Sequence, residues 1–281
     1  MLDKRPYHLK AQRRMSEPFS ITPFADVNLV LDDFLVRIQA LLGSHFIGMY
    51  LVGSLALGDF DPRTSDIDFV VVTDTNIGDD LFGSLQDIHA QFAASNSLWA
   101  DKIEAIYIPS SALRHAAPSA SLYPQIEKGT RLFKARLESG WVFQCITLRD
   151  RGVVVAGSDP RTLVDSIYPH DMHSAAAEIA VLWLEQADTD PTWLAWLRQR
   201  DAQMFVILTL CRLLYSLATG SVTSKPRAAE WAQKELGSPW ATLIKRTLAK
   251  QYETGEIAQS EEDETLAFIQ FTLEQSKRYA A

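Results

Sequence analysis

Residues 50–72 read YLVGSLALGDFDPRTSDIDFVVV, and this stretch decides the fold. An apolar run over residues 46–52 ends on Gly53 and Ser54. A turn-rich segment follows over residues 53–64, with two glycines, one proline and two aspartates. A second apolar run, residues 66–72, begins with Asp66 and Asp68. Both runs read as short strands, because β-branched and aromatic residues fill them and turn formers bound them. Glycine at the end of the first strand lets a phosphate approach the backbone, and N–H groups at the helix start behind it favour anions. Ser54 adds a hydroxyl donor. No lysine follows Ser54, so this is not a Walker-type loop. Side chains two apart on a strand share a face, roughly 7 Å apart along the chain. Asp66 and Asp68 therefore converge on one side, while Ile67 and Phe69 turn to the other, into the core. Two adjacent carboxylates repel unless a cation stands between them, and hard oxygen donors suit magnesium.

Outward from this motif, the pattern gives a small sheet flanked by helices. Thr22 reads as a cap and Pro23 as the first helical residue. Val27, Leu31, Phe34, Leu35, Ile38, Leu41 and Leu42 recur at helical spacing up to Gly43 and Ser44. Residues 80–93 fit an amphipathic helix, and residues 102–108 a third strand stopped by Pro109. That strand carries Glu104 and is expected beside the aspartate pair. Neighbouring strands are only ~5 Å apart, so Glu104 can complete the coordination or act as general base on an acceptor hydroxyl. The alternative is a rim glutamate paired with Lys102 or an arginine. Asp-x-Asp alone is common in turns. Gly-Ser after one strand, Asp-x-Asp in a second and Glu in a third is a much more specific combination.

A second region begins after residues 157–169, a stretch of Gly, Ser, Asp and Pro that reads as a linker. Beyond it the pattern is helical throughout: residues 171–186, 193–218, 226–236, 239–252 and 261–279. Ser224 and Ser238 read as caps before Pro226 and Pro239. The expected division is a loose arm over residues 1–21, a nucleotide-handling α/β domain with a small mixed sheet over 22–165, and an all-α bundle over 166–281. A cleft between the last two is the expected ligand site.

Composition narrows the function classes. A chain of 281 residues with 47% hydrophobic and 22% charged residues is an ordinary globular protein, not a disordered one. A net charge of −8 disfavours extended nucleic-acid binding and suits a small cationic substrate. Cys145 and Cys211 both lie in apolar runs and read as buried thiols of a reducing compartment. The basic N-terminus lacks the apolar core of a signal peptide, and no run approaches 18 uninterrupted apolar residues, so a cytoplasmic monomer without a membrane span is expected. His170 and His173 flank Asp171, whose capping of the next helix is a sufficient account of that cluster. The tryptophans of the helical half read as core, with one or two available to stack on a base or sugar. No Ser-His-Asp order or nucleophile elbow is present.

The Gly53, Ser54, Asp66, Asp68 and Glu104 set resembles the nucleotidyltransferase superfamily of the DNA polymerase β type. The second half, through residues 208–232 (LTLCRLLYSLATGSVTSKPRAAEWA) and 153–160 (VVVAGSDP), resembles the streptomycin- and spectinomycin-modifying aminoglycoside adenylyltransferases. The resemblance covers roughly residues 45–255, and it implies AMP transfer from ATP with two magnesium ions. It implies that Arg212 and Lys225 contact the ATP phosphates, that Ser65 contacts the nucleotide, and that Tyr252 stacks near it, one position out of register. Cations from the helical region would clamp a triphosphate that one metal ion leaves partly uncompensated. Apart from the resemblance, Arg212 reads as a half-buried partner of a carboxylate and Lys225 as a solvated cap-region lysine. The chain departs from the family where drug-recognising acids are expected: those positions fall on Arg198 and Ala202, with Asp201 one place away. Arg198 is a poor host for a cationic drug. A protein or RNA acceptor, or a non-catalytic nucleotide-binding role, are the alternatives.

Overall fold

The computed structural model describes residues 20–115, 119–250 and 253–279. Its centre is a six-stranded mixed sheet in the order β5-β4-β3-β2-β1-β6. The strands are β1 (Phe46–Leu51), β2 (Ile67–Thr73), β3 (Ile103–Pro109), β4 (Ser119–Ile126), β5 (Phe133–Leu137) and β6 (Val153–Ala156). Only β2 and β3 pair in parallel; the other neighbours are antiparallel.

Alternation along β2 splits its side chains between two cores. Ile67, Phe69 and Val71 face α1 (Ala25–Leu42) and α3 (Asp79–Ala93), packing with Leu31, Phe34, Leu85 and Phe92. Val70 and Val72 face the other way, with Ile106 and Ile108 of β3, against Cys145 and Leu148 of α5 (Trp141–Arg151). Each fully buried Leu, Ile or Phe adds about 1.5–3 kcal/mol, so these two layers hold the sheet firmly. Asp68 and Glu104 share the parity of the α5-facing set and occupy its end, where the strands begin.

The helical region comprises α6 (Pro169–Thr189), α7 (Pro191–Leu197), α8 (Arg200–Thr219), α9 (Lys225–Glu235), α10 (Trp240–Ala249) and α11 (Gln259–Tyr279). Helix α8 is its centre: Val206, Ile207, Leu210, Leu213 and Leu214 are buried against Ala228 and Ala232 of α9, Ile244 of α10, and Phe268 and Ile269 of α11. It is long and apolar enough to cross a membrane by length and composition alone, but more than half of that window is buried within the helices around it.

Several expectations need correction. The first helix starts at Ala25, not Pro23, with Phe24 as its N-cap. Thr22 folds back on Asn28 instead: its N–H donates to Asn28 Oδ1 at 2.9 Å, and Asn28 Nδ2 donates to its carbonyl at 2.8 Å. Strand β1 begins at Phe46 as expected, but β2 and β3 each begin one residue later than the pattern suggests, so Asp66 stands just ahead of β2. The single helix expected over residues 193–218 is broken at Gln199, which is extended and bridged to Glu256. Ile257 N donates to Arg198 O and Arg200 N to Gly255 O, so tertiary backbone pairing outweighs continuous helical periodicity. Ser224 caps α9 as expected. Ser238 does not cap α10; Pro239 takes that position after a cis peptide bond. Asp171 holds the start of α6, its Oδ2 accepting from Tyr168 N at 2.8 Å.

Candidate active site

The Gly53-Ser54 turn sits where β1 ends, and the five-residue helix α2 (Gly53–Leu57) opens on it. Val52 N donates to Asp68 O at 3.0 Å, which draws the end of β1 onto the start of β2. Gly53 has φ +56°, and a Cβ there would fall 2.1 Å from Asp68 Oδ2. Only glycine fits, because its bare Cα is the floor on which the Asp68 carboxylate lies. Ser65 closes the turn before the aspartate pair: its Oγ accepts from Asp61 N at 3.0 Å, and its own N–H donates to Asp61 O at 2.8 Å. The hydroxyl proton of Ser65 is not used by that contact.

Parallel pairing brings Asp68 level with Glu104. Their carboxyl groups share a hydrogen bond, and Asp66 acts on both through its charge. Burial first, then the neighbouring carboxylates, raises the Asp68 pKa well above its ordinary value. Burial and Asp66 raise that of Glu104, against which the Asp68 hydrogen bond, Lys225 and a backbone N–H of Lys128 act. Carboxylates this close repel one another, which is why the proton affinity of Asp68 and Glu104 rises. Glu104 is not a rim residue paired with Lys102. The Lys102 ammonium instead lies 3.1 Å from the Arg63 carbonyl and 3.4 Å from that of Pro62.

Asp66 is one-fifth exposed, and its Oδ1 lies 3.0 Å from Lys128 Nζ. That contact is an ion pair without hydrogen-bond alignment, so the buried Oδ1 has no hydrogen-bond partner. Lys128 stands in the turn between β4 and β5 and touches two of the acids, with its ammonium on Asp66 and its backbone on Glu104. Nothing in the sequence signals this, since the contact depends on how that hairpin folds over β3.

Two cations reach the acids from the helical region. Arg212, on α8, is half-buried, and its Nε is buried without a hydrogen-bond acceptor. Burial lowers its proton affinity and the Asp68 charge opposes that. Lys225 is the first residue of α9. Burial and then Arg212 lower its pKa, while Glu104, Asp68 and Asp66 act in the opposite direction. Its ammonium also lies 5.2 Å from the centre of the Phe205 ring. Neither residue is the solvated or simply paired group that the sequence alone suggests. The structure thus brings Gly53, Ser54, Ser65, Asp66, Asp68, Glu104, Arg212 and Lys225 into one region. Tyr252 lies outside the described residues. Cys145 and Cys211 are buried thiols without a bridge, and burial pushes Cys211 up to about 12.

Two family models match this chain. The nucleotidyltransferase domain spans residues 37–109, and the C-terminal domain of aminoglycoside adenylyltransferase spans residues 163–275. The chain thus joins a nucleotidyltransferase domain to an aminoglycoside adenylyltransferase C-terminal domain. This adenylyltransferase is 24% identical over 232 residues to the aminoglycoside (3'') (9) adenylyltransferases of Shigella flexneri and Escherichia coli, a match covering 78% of this chain and 83% of each relative. A shorter match to the enzyme of that name from Rhizobium radiobacter is 30% identical over 96 residues, or 34% of this chain and 32% of the relative. The fold is that of the spectinomycin adenyltransferase AAD(9) from Enterococcus faecialis, solved with ATP and spectinomycin. The TM-score is 0.62 at 18% identity, and the match covers 88% of this adenylyltransferase and 98% of that chain.

Proposed function

We propose that this adenylyltransferase moves AMP from magnesium-bound ATP to a hydroxyl of an aminoglycoside or aminocyclitol of the streptomycin or spectinomycin type. The observation that carries this reading is the register pair Asp68–Glu104, with Asp66 beside it, facing the half-buried cations Arg212 and Lys225. Among the described residues no three His, Cys, Asp or Glu side chains already surround an open point as a finished metal cage. The donor set nevertheless fits magnesium: the oxygens are hard, Asp66 Oδ1 is buried without a hydrogen bond, and the mutual repulsion of Asp68 and Glu104 is what a divalent cation relieves. Magnesium held by Asp66 and Asp68, with Glu104 beside them, would supply Lewis-acid stabilisation of the phosphate charge.

The chain's own groups do the rest. Gly53 gives the phosphates access to the backbone, and Ser54 and Ser65 offer hydroxyl donors. Glu104, as its carboxylate, takes the proton of the acceptor hydroxyl. The acceptor oxygen attacks the α-phosphorus in line and pyrophosphate leaves. Arg212 and Lys225 offset the charge that grows on the leaving group, from a site where low dielectric strengthens their pull. On this reading residues 22–165 form the catalytic domain and residues 166–281 the clamp, with the acceptor held between them.

The acceptor side also supports a cationic ligand. Arg198 does not project free charge toward it: its Nε lies 2.5 Å from Glu262 Oε2, and Glu262 is buried. Asp201 is exposed one helical turn from Phe205, and Phe205 and Trp196 are exposed with their rings 6.1 Å apart. A carboxylate beside aromatic faces suits an amino sugar. The solved AAD(9) was bound to ATP and spectinomycin, and we carry that pairing over to this chain. A net charge of −8 speaks against an RNA acceptor. The test is incubation with ATP, magnesium and a panel of aminoglycoside and aminocyclitol drugs, read by mass spectrometry. A gain of one AMP on a drug is expected. AMP on a protein would favour a protein acceptor, and nucleotide binding without any product would make this a non-catalytic relative.

A further inference from the structure

We propose that Asp59 is a positioning residue that latches the start of α9 to the turn after α2 and thereby fixes Lys225 over the three acids. The proposal rests on the phosphate-binding role assigned above to Lys225. Asp59 follows Gly58, the left-handed residue that ends α2. Its N–H donates to Ser54 O at 3.1 Å, which ties it to the Gly53-Ser54 turn. Its carboxylate then crosses to the helical region. Oδ2 accepts from Ser224 Oγ, and Oδ1 lies 3.0 Å from Arg227 Nη2. Ser224 caps α9 and Arg227 is its third residue, so the latch grips the chain on both sides of Lys225.

Lys225 needs such a grip. A cation at the first position of a helix stands against the positive end of the macrodipole. Arg212 repels it, and burial withdraws the water that would otherwise solvate it. The acids attract it, but they also attract the metal that this reading places there. Asp59 sets a negative charge at the same helix start without entering the acid cluster, which offsets the dipole and holds the backbone in place. The apolar contact between the two regions, Leu57 and Phe143 with Met172 and Val222, supplies adhesion but little register. A carboxylate with two directional partners supplies the register. The Asp59 side chain is only 21% exposed, so solvent screens it weakly, whereas Arg227 at 58% is the weaker arm.

Isothermal titration calorimetry of ATP with magnesium, on the full chain, tests the proposal. Asp59→Ala is expected to raise the Kd by roughly tenfold, the scale of a charge-assisted hydrogen bond, with Arg227→Ala giving a smaller rise in the same direction. Asp59→Asn, which keeps an acceptor for Ser224, is expected to recover part of the loss. In a Lys225→Ala background, Asp59→Ala should add little, because the latch acts through Lys225. Effects that multiply in the double variant, or an unchanged Kd in Asp59→Ala beside a lowered Tm, overturn the latch and reduce Asp59 to a structural tie. An unchanged Kd in Lys225→Ala alone overturns the phosphate role of Lys225, and the latch with it. Should Asp59→Ala fail to fold, Arg227→Ala and Ser224→Ala carry the same double-variant test one arm at a time.

Discussion

The carboxylate of Asp68 lies on the Cα of Gly53. A Cβ added there would fall 2.1 Å from Asp68 Oδ2 and 2.5 Å from its Cγ. The two ends of the Gly-Ser and Asp-x-Asp motif are thus one packed contact, and the glycine serves the acid as well as any phosphate.

Gly53→Ala is therefore expected to fail on two counts. It places a side chain at φ +56°, a strain of about 1–3 kcal/mol, and it evicts the Asp68 carboxylate. A lowered Tm together with loss of magnesium-dependent nucleotide binding, read by thermal shift with and without ATP and magnesium, is the predicted pair. Gly58→Ala is the control: it also has a left-handed backbone, at φ +75°, but open space around it, so it should lower the Tm and spare binding.

The raised pKa of Asp68 and Glu104 gives a pH dependence of definite sign. Their folded-state values exceed their unfolded ones, so the native state holds the extra proton. The stability they contribute is present in full below the ordinary carboxylate range and is lost as pH rises through the raised values. Without metal, the Tm should therefore decline from mildly acidic toward alkaline pH. Asp68→Asn, which removes the repulsion but keeps the shape, should flatten that decline and raise the Tm at pH 8 by a few degrees, the response expected from about 1 kcal/mol. Magnesium should do the same for the unmodified protein while releasing a proton on binding. A Tm that rises with pH in the absence of metal would contradict the assignment.

Removing either of the two cations proposed to clamp the phosphates should weaken transfer more than it weakens the fold. Lys225→Ala and Arg212→Ala are each expected to reduce kcat/KM for ATP by about 10²–10³, the scale of one donor lost from a transition-state site. Arg212 has a buried Nε without an acceptor, so its removal should leave the Tm unchanged or higher. Arg212→Lys should not restore the rate, because the planar fork is lost. Steady-state kinetics beside melting curves separate the two effects.

The fold was legible where short-range periodicity decides it. Alternation over residues 66–72 is enough to send Ile67 and Phe69 into one core and Asp68 to the opposite face, since a strand allows no other arrangement. Glu104 follows from a third apolar run and from strand spacing. What stays hidden depends on distant segments. Strands β4, β5 and β6 are short or polar along part of their length, and β4 contains Pro124, so no clean alternation marks them. The break at Gln199 follows from pairing with residues 255–257, which no local pattern contains. Asp59 and Lys128 lie in turn sequences of ordinary composition and gain their importance only when α9 docks on Asp59 and the β4–β5 turn brings Lys128 to Asp66.

Lys128 offers a further check, because its ammonium holds the oxygen that magnesium would take. Lys128→Ala keeps the backbone N–H that supports Glu104 and removes the competing charge from Asp66. The magnesium concentration giving half-maximal activity should fall by about twofold to fivefold, the scale of one half-exposed ion pair. A higher magnesium requirement would show that the ammonium holds phosphate instead.

The most direct measurement is single-turnover AMP transfer by Asp68→Asn at saturating ATP and magnesium, followed by mass spectrometry of the acceptor. The account predicts a folded protein, with a Tm at pH 8 no lower than that of the unaltered chain, whose transfer rate falls by about 10³ or more because the metal-holding charge is gone. Transfer within about tenfold of the unaltered rate would contradict it, since removing one donor from a transition-state site costs about 10²–10³, and the acids would then be a structural cluster and not the centre of the reaction.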